Sequence, residues 1–311
     1  MLSIVQDAFG GPEVLVAAET EVPRPTFTEV QVRVHATSVN PVEGYIRSGQ
    51  VPLLGRPPFV LGWDVSGVVS EVGAGSSRFA VGDEVYGMPF FPRAAGANAE
   101  YLVAPSRMLA RKPAGLDHVH AAALPLVGLT AWQGLVDYAG IGPGDRVLIH
   151  AAGGGVGHVA VQIAKARGAY VIGTASAGKR DFVMSLGADE VVDYQATDFT
   201  EAVRDADVVF DVVGGGNGER SLASLRPGGH LVTAVDHSNA ELRAKTEAAG
   251  LRFSGIAVEP DYPGLDALTR LVDEGRLRPY VTQTFPLRDA AKAHELVEAG
   301  GLQGKVVLTV R

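Results

Sequence analysis

The residues Gly153-Gly154-Gly155-Val156-Gly157 carry almost no side chains, so what they offer a ligand is backbone N–H groups, the donors a phosphate needs. They follow an apolar strand pattern, RVLIHAA, and open a helical pattern, HVAVQIAKARG, in which Val159, Ile163 and Ala166 recur at helical spacing. Ala152, Gly154 and Gly157 occupy the three positions of a G-x-G-x-x-G turn, with alanine at the first. In a dinucleotide fold such a turn lets the backbone approach a pyrophosphate at a helix N-terminus. Purely steric glycine turns also join strands to helices, so the surrounding residues decide. The next apolar run, YVIGTAS, ends where the adenosine ribose would lie. A carboxylate for the ribose 2′-hydroxyl is expected there in an NAD enzyme, but none occurs from Gly173 to Arg180. Thr174 and Ser176 offer hydroxyls, and Lys179 and Arg180 offer cations suited to a 2′-phosphate. The expected cofactor is therefore NADPH, although Lys179 and Arg180 also fit a solvated first helical turn.

Other chemistries lack their residues. The chain has no cysteine, which removes disulfides, thiolate nucleophiles and Cys-rich zinc sites. Its eight histidines form no H-x-x-x-H or H-E-x-x-H spacing, and His118 with His120 lacks a third ligand, so no metal is expected. No G-x-S-x-G elbow exposes a serine nucleophile.

The elements that must position the turn are legible in outline. At 311 residues the chain has room for about two domains, and 46% hydrophobic with 20% charged residues provides a packed core. The first hundred residues read as short strands between glycines and prolines: VLVAAE, EVQVRVHATSV, DVSGVVSEVG, DEVYGM and AEYLVAP. From about Ala121 helices alternate with the buried strands RVLIHAA, YVIGTAS, DVVFDVV and HLVTAV, the pattern of an α/β doubly wound parallel sheet. After Pro260 come helix LDALTRLVDEG, strand YVTQTFPL, helix AAKAHELVEAG and strand KVVLTV, which are expected to rejoin the first domain. A net charge of -8 without a basic cluster argues against nucleic acid as a partner. No apolar run approaches the ~20 residues of a membrane span, and the N-terminus lacks a secretory pattern, so a cytoplasmic location is expected.

Five motifs in order give the chain a family likeness. Asn40-Pro41-Val42-Glu43-Gly44-Tyr45-Ile46-Arg47-Ser48-Gly49, Leu61-Gly62-Trp63-Asp64-Val65-Ser66-Gly67, VGDEVYG, Ala122 to Ala131 (AALPLVGLTA) and Gly304-Lys305-Val306-Val307-Leu308 together resemble the quinone oxidoreductase, zeta-crystallin-like branch of the medium-chain dehydrogenase/reductases. The resemblance implies a GroES-like β-barrel catalytic domain from 1–117 and 264–311, a Rossmann NADP(H)-binding domain from 118–263, and an active site in the cleft. It places Asn40 at the nicotinamide ribose, Thr130 at the nicotinamide amide, Tyr194 at the adenosine phosphate, and Val213, Gly214, Gly255 and Ala257 beside the nicotinamide. Lys305 is a further candidate cofactor contact, or else a surface lysine opening an edge strand. Zinc-dependent relatives use a cysteine near Asn40 and a His-Glu pair near Gly62; this chain has Trp63-Asp64 at the second place and no cysteine. Without a Lewis acid, the economical reaction is hydride addition to an activated acceptor, a quinone or an α,β-unsaturated carbonyl. Tyr45 is the candidate acid toward the substrate oxygen, with positioning of the substrate expected to matter more. The resemblance also implies a homodimer or tetramer through the Rossmann sheet. The alternatives are an enoyl-thioester reductase and a non-enzymatic NADPH-binding structural or sensor protein.

Overall fold

The structure is a computed structural model and describes residues 1–310. It divides into two compact units. One comprises Met1–Leu129, Glu259–Asp273 and the chain from Pro279 onward; the other comprises Thr130–Val258 with Glu274–Arg278. The division thus falls at Leu129 and Val258, whereas the family resemblance implies bounds near 117 and 263. The residues after 117 stay with the first unit because the backbone N–H of Leu126 donates to Asp64 Oδ1 at 2.7 Å, deep in that unit.

Along the chain the first unit supplies β1 (Leu2–Gln6), β2 (Leu15–Glu19), β3 (Glu29–Val39), α1 (Pro41–Arg47), β4 (Phe59–Val60), β5 (Val65–Val72), β6 (Glu84–Gly87), β7 (Tyr101–Pro105), β8 (Leu109–Arg111) and α2 (His118–Ala122). In β3 the alternation of valines turns Val30, Val32 and Val34 to one side, where they pack with Val65, Val69, Val85, Leu102 and Leu109. Proline at the first position of α1 starts that helix at no hydrogen-bond cost.

The second unit takes in the end of α3 (Pro125–Trp132) and then β9 (Arg146–Ile149), α4 (Gly157–Ala166), β10 (Tyr170–Ala175), α5 (Arg180–Ser185), β11 (Glu190–Asp193), α6 (Phe199–Ala202), β12 (Ala206–Asp211), α7 (Asn217–Ser221), β13 (Leu225–Thr233), α8 (Ala240–Ala248) and β14 (Arg252–Gly255). Its six strands are parallel in the order β11-β10-β9-β12-β13-β14. Val147, Leu148 and Ile149 are all buried, which is why β9 reads as an unbroken apolar run. The order reverses between β9 and β12, and ligands of such sheets sit at the carboxyl ends of the strands flanking the reversal.

The chain then returns to the first unit with α9 (Tyr262–Asp273), β15 (Val281–Pro286), α10 (Ala290–Ala299) and β16 (Lys305–Thr309). β16 lies between β15 and β3, completing a seven-stranded sheet that also contains β5, β6, β7 and β8. Tyr86 of β6 donates its hydroxyl to Leu265 O at 2.7 Å, tying α9 to this sheet. Among the described residues no helix is long and apolar enough to cross a membrane.

Candidate functional site

In the second unit the glycine turn leaves the end of β9 and enters α4. Gly154 N donates to Ala151 O at 2.8 Å, closing the turn, and a Cβ on Gly157 would lie 2.1 Å from Ala151 O. Only glycine therefore lets the helix start this close to the strand. His158 and Val159 already donate their N–H groups to Gly154 O at 3.1 Å and Val156 O at 3.2 Å, so the donors that would meet an anion come from the turn just before them. Lys179 folds its aliphatic stem over the turn: its Cδ is 3.1 Å from where a Gly153 Cβ would sit. Burial lowers the Lys179 pKa from its ordinary value.

The other expected residues of this unit gather along the same sheet edge. Ala152 N donates to Thr174 O at 2.9 Å, joining the turn to the end of β10. Ser176 follows, half-buried, and accepts the N–H of Lys179 on its carbonyl at 2.9 Å. Tyr194, after β11, is exposed and donates its N–H to Ala175 O at 3.3 Å. Val213 and Gly214 follow β12, and Gly255 with Ala257 closes β14. Gly214 has φ +71 and belongs with Gly215 and Gly216 to a left-handed run that only glycines adopt freely. Thr130 is on α3 and is buried.

Two expectations change here. Thr174 does not offer its hydroxyl outward: it is buried, with Oγ1 3.1 Å from His150 Nδ1 and accepting the Ala151 N–H at 3.2 Å. Arg180 donates from Nη1 to Val191 O at 2.8 Å, so its guanidinium is partly committed to β11, and Lys179 is the better placed of the two cations.

In the first unit, Asn40 and Lys305 meet in a buried polar cluster. Lys305 Nζ donates to Val39 O at 2.9 Å and Asn40 Oδ1 at 2.5 Å, with Asp64 Oδ2 at 3.7 Å. Lys305 is only 4% exposed and its strand is interior, so it neither opens an edge strand nor presents its ammonium to a cofactor; it acts on Asn40. Asn40 Nδ2 donates to Asp64 Oδ2 at 2.9 Å, and Ser38 Oγ donates to the same oxygen at 2.5 Å. The Asn40 side chain is thus held at both ends inside the unit, where the sequence suggests a free contact for a ribose.

Glu43 accepts the Asn40 N–H on Oε1 at 3.1 Å, and its Oε2 faces His294 Nε2 at 3.7 Å. Burial pushes the Glu43 pKa up to about 7, against the lowering pull of Lys305 and with the raising push of Asp64. Burial, with Arg47 adding repulsion, lowers His294 to about 3, so it faces Glu43 neutral at physiological pH. The sequence hint to Glu43 was its place three residues after Asn40 at a helix start. Nothing in the sequence pointed to His294, which comes from α10. Tyr45, on α1, is 52% exposed and within reach of solvent-borne molecules.

The zinc of dehydrogenase relatives does not fit these residues. Trp63 donates Nε1–H to Arg93 O at 2.7 Å, and Asp64 is saturated by Ser38, Asn40 and Leu126 beside a lysine ammonium. Among the described residues no group of His, Asp or Glu is placed to hold a metal ion. His118 is engaged by Ser66 Oγ at 2.8 Å and Glu84 at 3.2 Å, and Asp117 caps α2 by accepting the His120 N–H at 2.8 Å, with His120 Nδ1 2.8 Å from the same oxygen.

A six-stranded parallel sheet with a glycine turn, joined in one chain to a unit built on a mixed, mostly antiparallel seven-stranded sheet, defines a two-domain dehydrogenase or reductase. Comparison with known proteins agrees: residues 26–114 match the alcohol dehydrogenase GroES-like domain, and residues 186–308 match the zinc-binding dehydrogenase family. The quinone oxidoreductase of Pongo abelii is 33% identical across 96% of this chain and 95% of its own length. A 2-haloacrylate reductase from a Burkholderia species is 36% identical, covering 96% of each. The structure of Escherichia coli quinone oxidoreductase complexed with NADPH superposes with a TM-score of 0.89 at 32% identity, covering 99% of this chain and 100% of that one. The chain belongs to the medium-chain dehydrogenase/reductase superfamily, among homologues of the quinone oxidoreductases, and is an NAD(P)H-dependent oxidoreductase.

Proposed function

We propose that this oxidoreductase uses NADPH, without zinc, to reduce α,β-unsaturated carbonyls or quinones, with enones favoured. The observation that carries the cofactor choice is the end of β10: no carboxylate stands there, and Lys179 lies against the glycine turn beside Ser176. When bound, NADPH supplies hydride from its reduced ring. The chain's own part is to hold the pyrophosphate on the Gly153–Gly157 amides, to neutralise the 2′-phosphate with Lys179 and Arg180, and to fix the nicotinamide among Val213, Gly214, Gly255 and Ala257. With the zinc-ligand positions committed to internal hydrogen bonds, an acceptor that is already electron-poor suits the site. The reductase activity named for the Burkholderia relative acts on such an activated alkene. Tyr45 is the exposed phenol that supplies a hydrogen bond to the substrate oxygen.

The test is NADPH oxidation against small enones, p-quinones and 2-enoyl thioesters in parallel, with NADH as the control. Turnover of enones with NADPH well above NADH is expected. A strong NADH preference overturns the phosphate argument, thioester preference favours an enoyl-thioester reductase, and tight cofactor binding without any turnover favours a sensor. The unit's sheet ends at β14, which pairs only with β13 among the described residues, and we assign that edge to a second copy in a homodimer. A monomer in sedimentation equilibrium removes that assignment.

A further inference from the structure

His150 stands between β9 and the glycine turn, is 1% exposed, and is not itself a site residue in the reading above. Its two ring nitrogens reach different parts of the sheet edge. Nδ1 is 3.1 Å from Thr174 Oγ1 and Nε2 is 2.9 Å from Ser221 Oγ. The proton directions follow from the neighbours. Ser221 donates its hydroxyl to Asn217 O at 2.7 Å, so it must accept from His150, and Nε2 carries the proton. Nδ1 is then the acceptor and Thr174 the donor, while Thr174 Oγ1 accepts the Ala151 N–H at 3.2 Å. Burial holds the imidazole pKa down to about 4, in keeping with this neutral tautomer.

The chain of bonds continues past Asn217. Asn217 Nδ2 donates to Asp211 Oδ1 at 3.0 Å, and the same oxygen accepts the N–H of Val213 at 2.9 Å and of Gly214 at 3.3 Å. One end therefore grips Ala151, a non-glycine residue with φ 49 at the mouth of the glycine turn. The other end grips the turn after β12. Each hydroxyl between them receives one hydrogen bond and gives one, and the ring receives at Nδ1 and gives at Nε2, so the chain has a single direction from Ala151 to Asn217.

We infer that His150 is a positioning residue that couples the phosphate-binding turn after β9 to the turn after β12, so that the adenosine and nicotinamide halves of the dinucleotide are set together. The inference rests on the dinucleotide reading above but assigns a role to a residue that touches neither half of it. It separates into two arms. The Thr174 arm serves the adenosine half, and the Ser221–Asn217–Asp211 arm serves the nicotinamide half.

Two substitutions divide the arms. In His150→Gln the side-chain amide nitrogen reaches the Nε2 position and keeps the Ser221 arm; in His150→Asn the amide oxygen reaches the Nδ1 position and keeps the Thr174 arm. The probes are calorimetric titration with 2′,5′-ADP, which reports the adenosine half alone, and kcat with NADPH at saturation. His150→Gln should weaken 2′,5′-ADP binding about tenfold with kcat within about twofold, and His150→Asn should do the reverse. A general packing defect would lower both readouts together in both variants, and that result, or no change in either, overturns the coupling. If either variant fails to fold, Thr174→Val and Ser221→Ala divide the same two arms from their far ends. Wild type that binds ADP-ribose but not 2′,5′-ADP removes the phosphate argument while ADP-ribose still tests the coupling. Wild type that binds neither removes both.

Discussion

The two units bury polar networks of opposite kinds. Around His150 every group is neutral, or a carboxylate fed by three N–H donors, and hydrogen bonds pass hand to hand along a strand edge. Around Lys305 an ammonium and two carboxylates, Asp64 and Glu43, are enclosed within one apolar unit. Neutral links fix geometry at little cost in stability, whereas a buried charged cluster carries a desolvation penalty of several kcal/mol per ion and survives only with its partners in place. The second unit confines its buried charge to Asp211, and a conservative change along its neutral links is expected to move ligand geometry more than fold, whereas the same change in the first unit costs stability.

Removing Lys305 breaks that contrast most severely. Lys305→Met leaves Asp64 buried without its counter-ion and Asn40 Oδ1 without its donor, and should destabilise the protein by about 3–5 kcal/mol. Denaturant unfolding measures this, and a loss under about 1 kcal/mol would show that the cluster is not ionised as a unit. In the second unit the largest effect is on ligand rather than fold. Lys179→Ala with Arg180→Ala should weaken NADPH about a hundredfold while leaving NADH within about threefold, with Lys179 contributing more because Arg180 is already committed to Val191 O. Fluorescence titration with both nucleotides reads the ratio; equal losses for the two would mean that neither cation meets a 2′-phosphate.

Glu43→Gln sharpens the comparison through pH. The folded Glu43 pKa is raised to about 7 from 4.5, so the folded state holds a proton that the unfolded state has released, and stability falls as pH rises through that window. Glutamine removes this dependence, so the variant should gain on the parent by on the order of 3 kcal/mol above pH 7 and not below pH 4.5. The difference between the two proteins separates Glu43 from the distant buried histidines His150 and His230, whose lowered pKa values act with the opposite sign below 6.5, while His294, which faces Glu43, is read together with it. Melting curves from pH 4 to pH 8.5 test it, and a flat difference would mean that Glu43 is ionised throughout. The smallest effect is at Tyr45: Tyr45→Phe should lower kcat less than about tenfold with an unchanged Tm, as expected of an exposed residue that orients rather than transfers a proton. A loss beyond a thousandfold would make it the acid.

The strands were legible where burial is regular. The run EVQVRVHATSV became β3 with the same limits, and the apolar runs of the parallel sheet became β9, β10, β12 and β13, because side-chain periodicity records which faces meet the core. The glycine turn was legible for a different reason: a Cβ at Gly157 has no room, so the requirement is written as the residue itself. The unit boundary was less legible, since residues 118–129 read as helix without revealing that Asp64 would capture the N–H of Leu126.

What the sequence determined alone is the class of chemistry: a glycine turn without a carboxylate after the following strand, and no cysteine for zinc, are statements about residue types within a short window. What only the tertiary structure decided is the state of the polar side chains. Lys305 lies 265 residues from Asn40 and His294 lies in another helix from Glu43, and neither meeting has a periodicity to betray it. Burial and partnership are properties of packed elements, and they turned a candidate cofactor contact, Lys305, into the cation that orients Asn40, and a supposed free hydroxyl on Thr174 into a link toward His150.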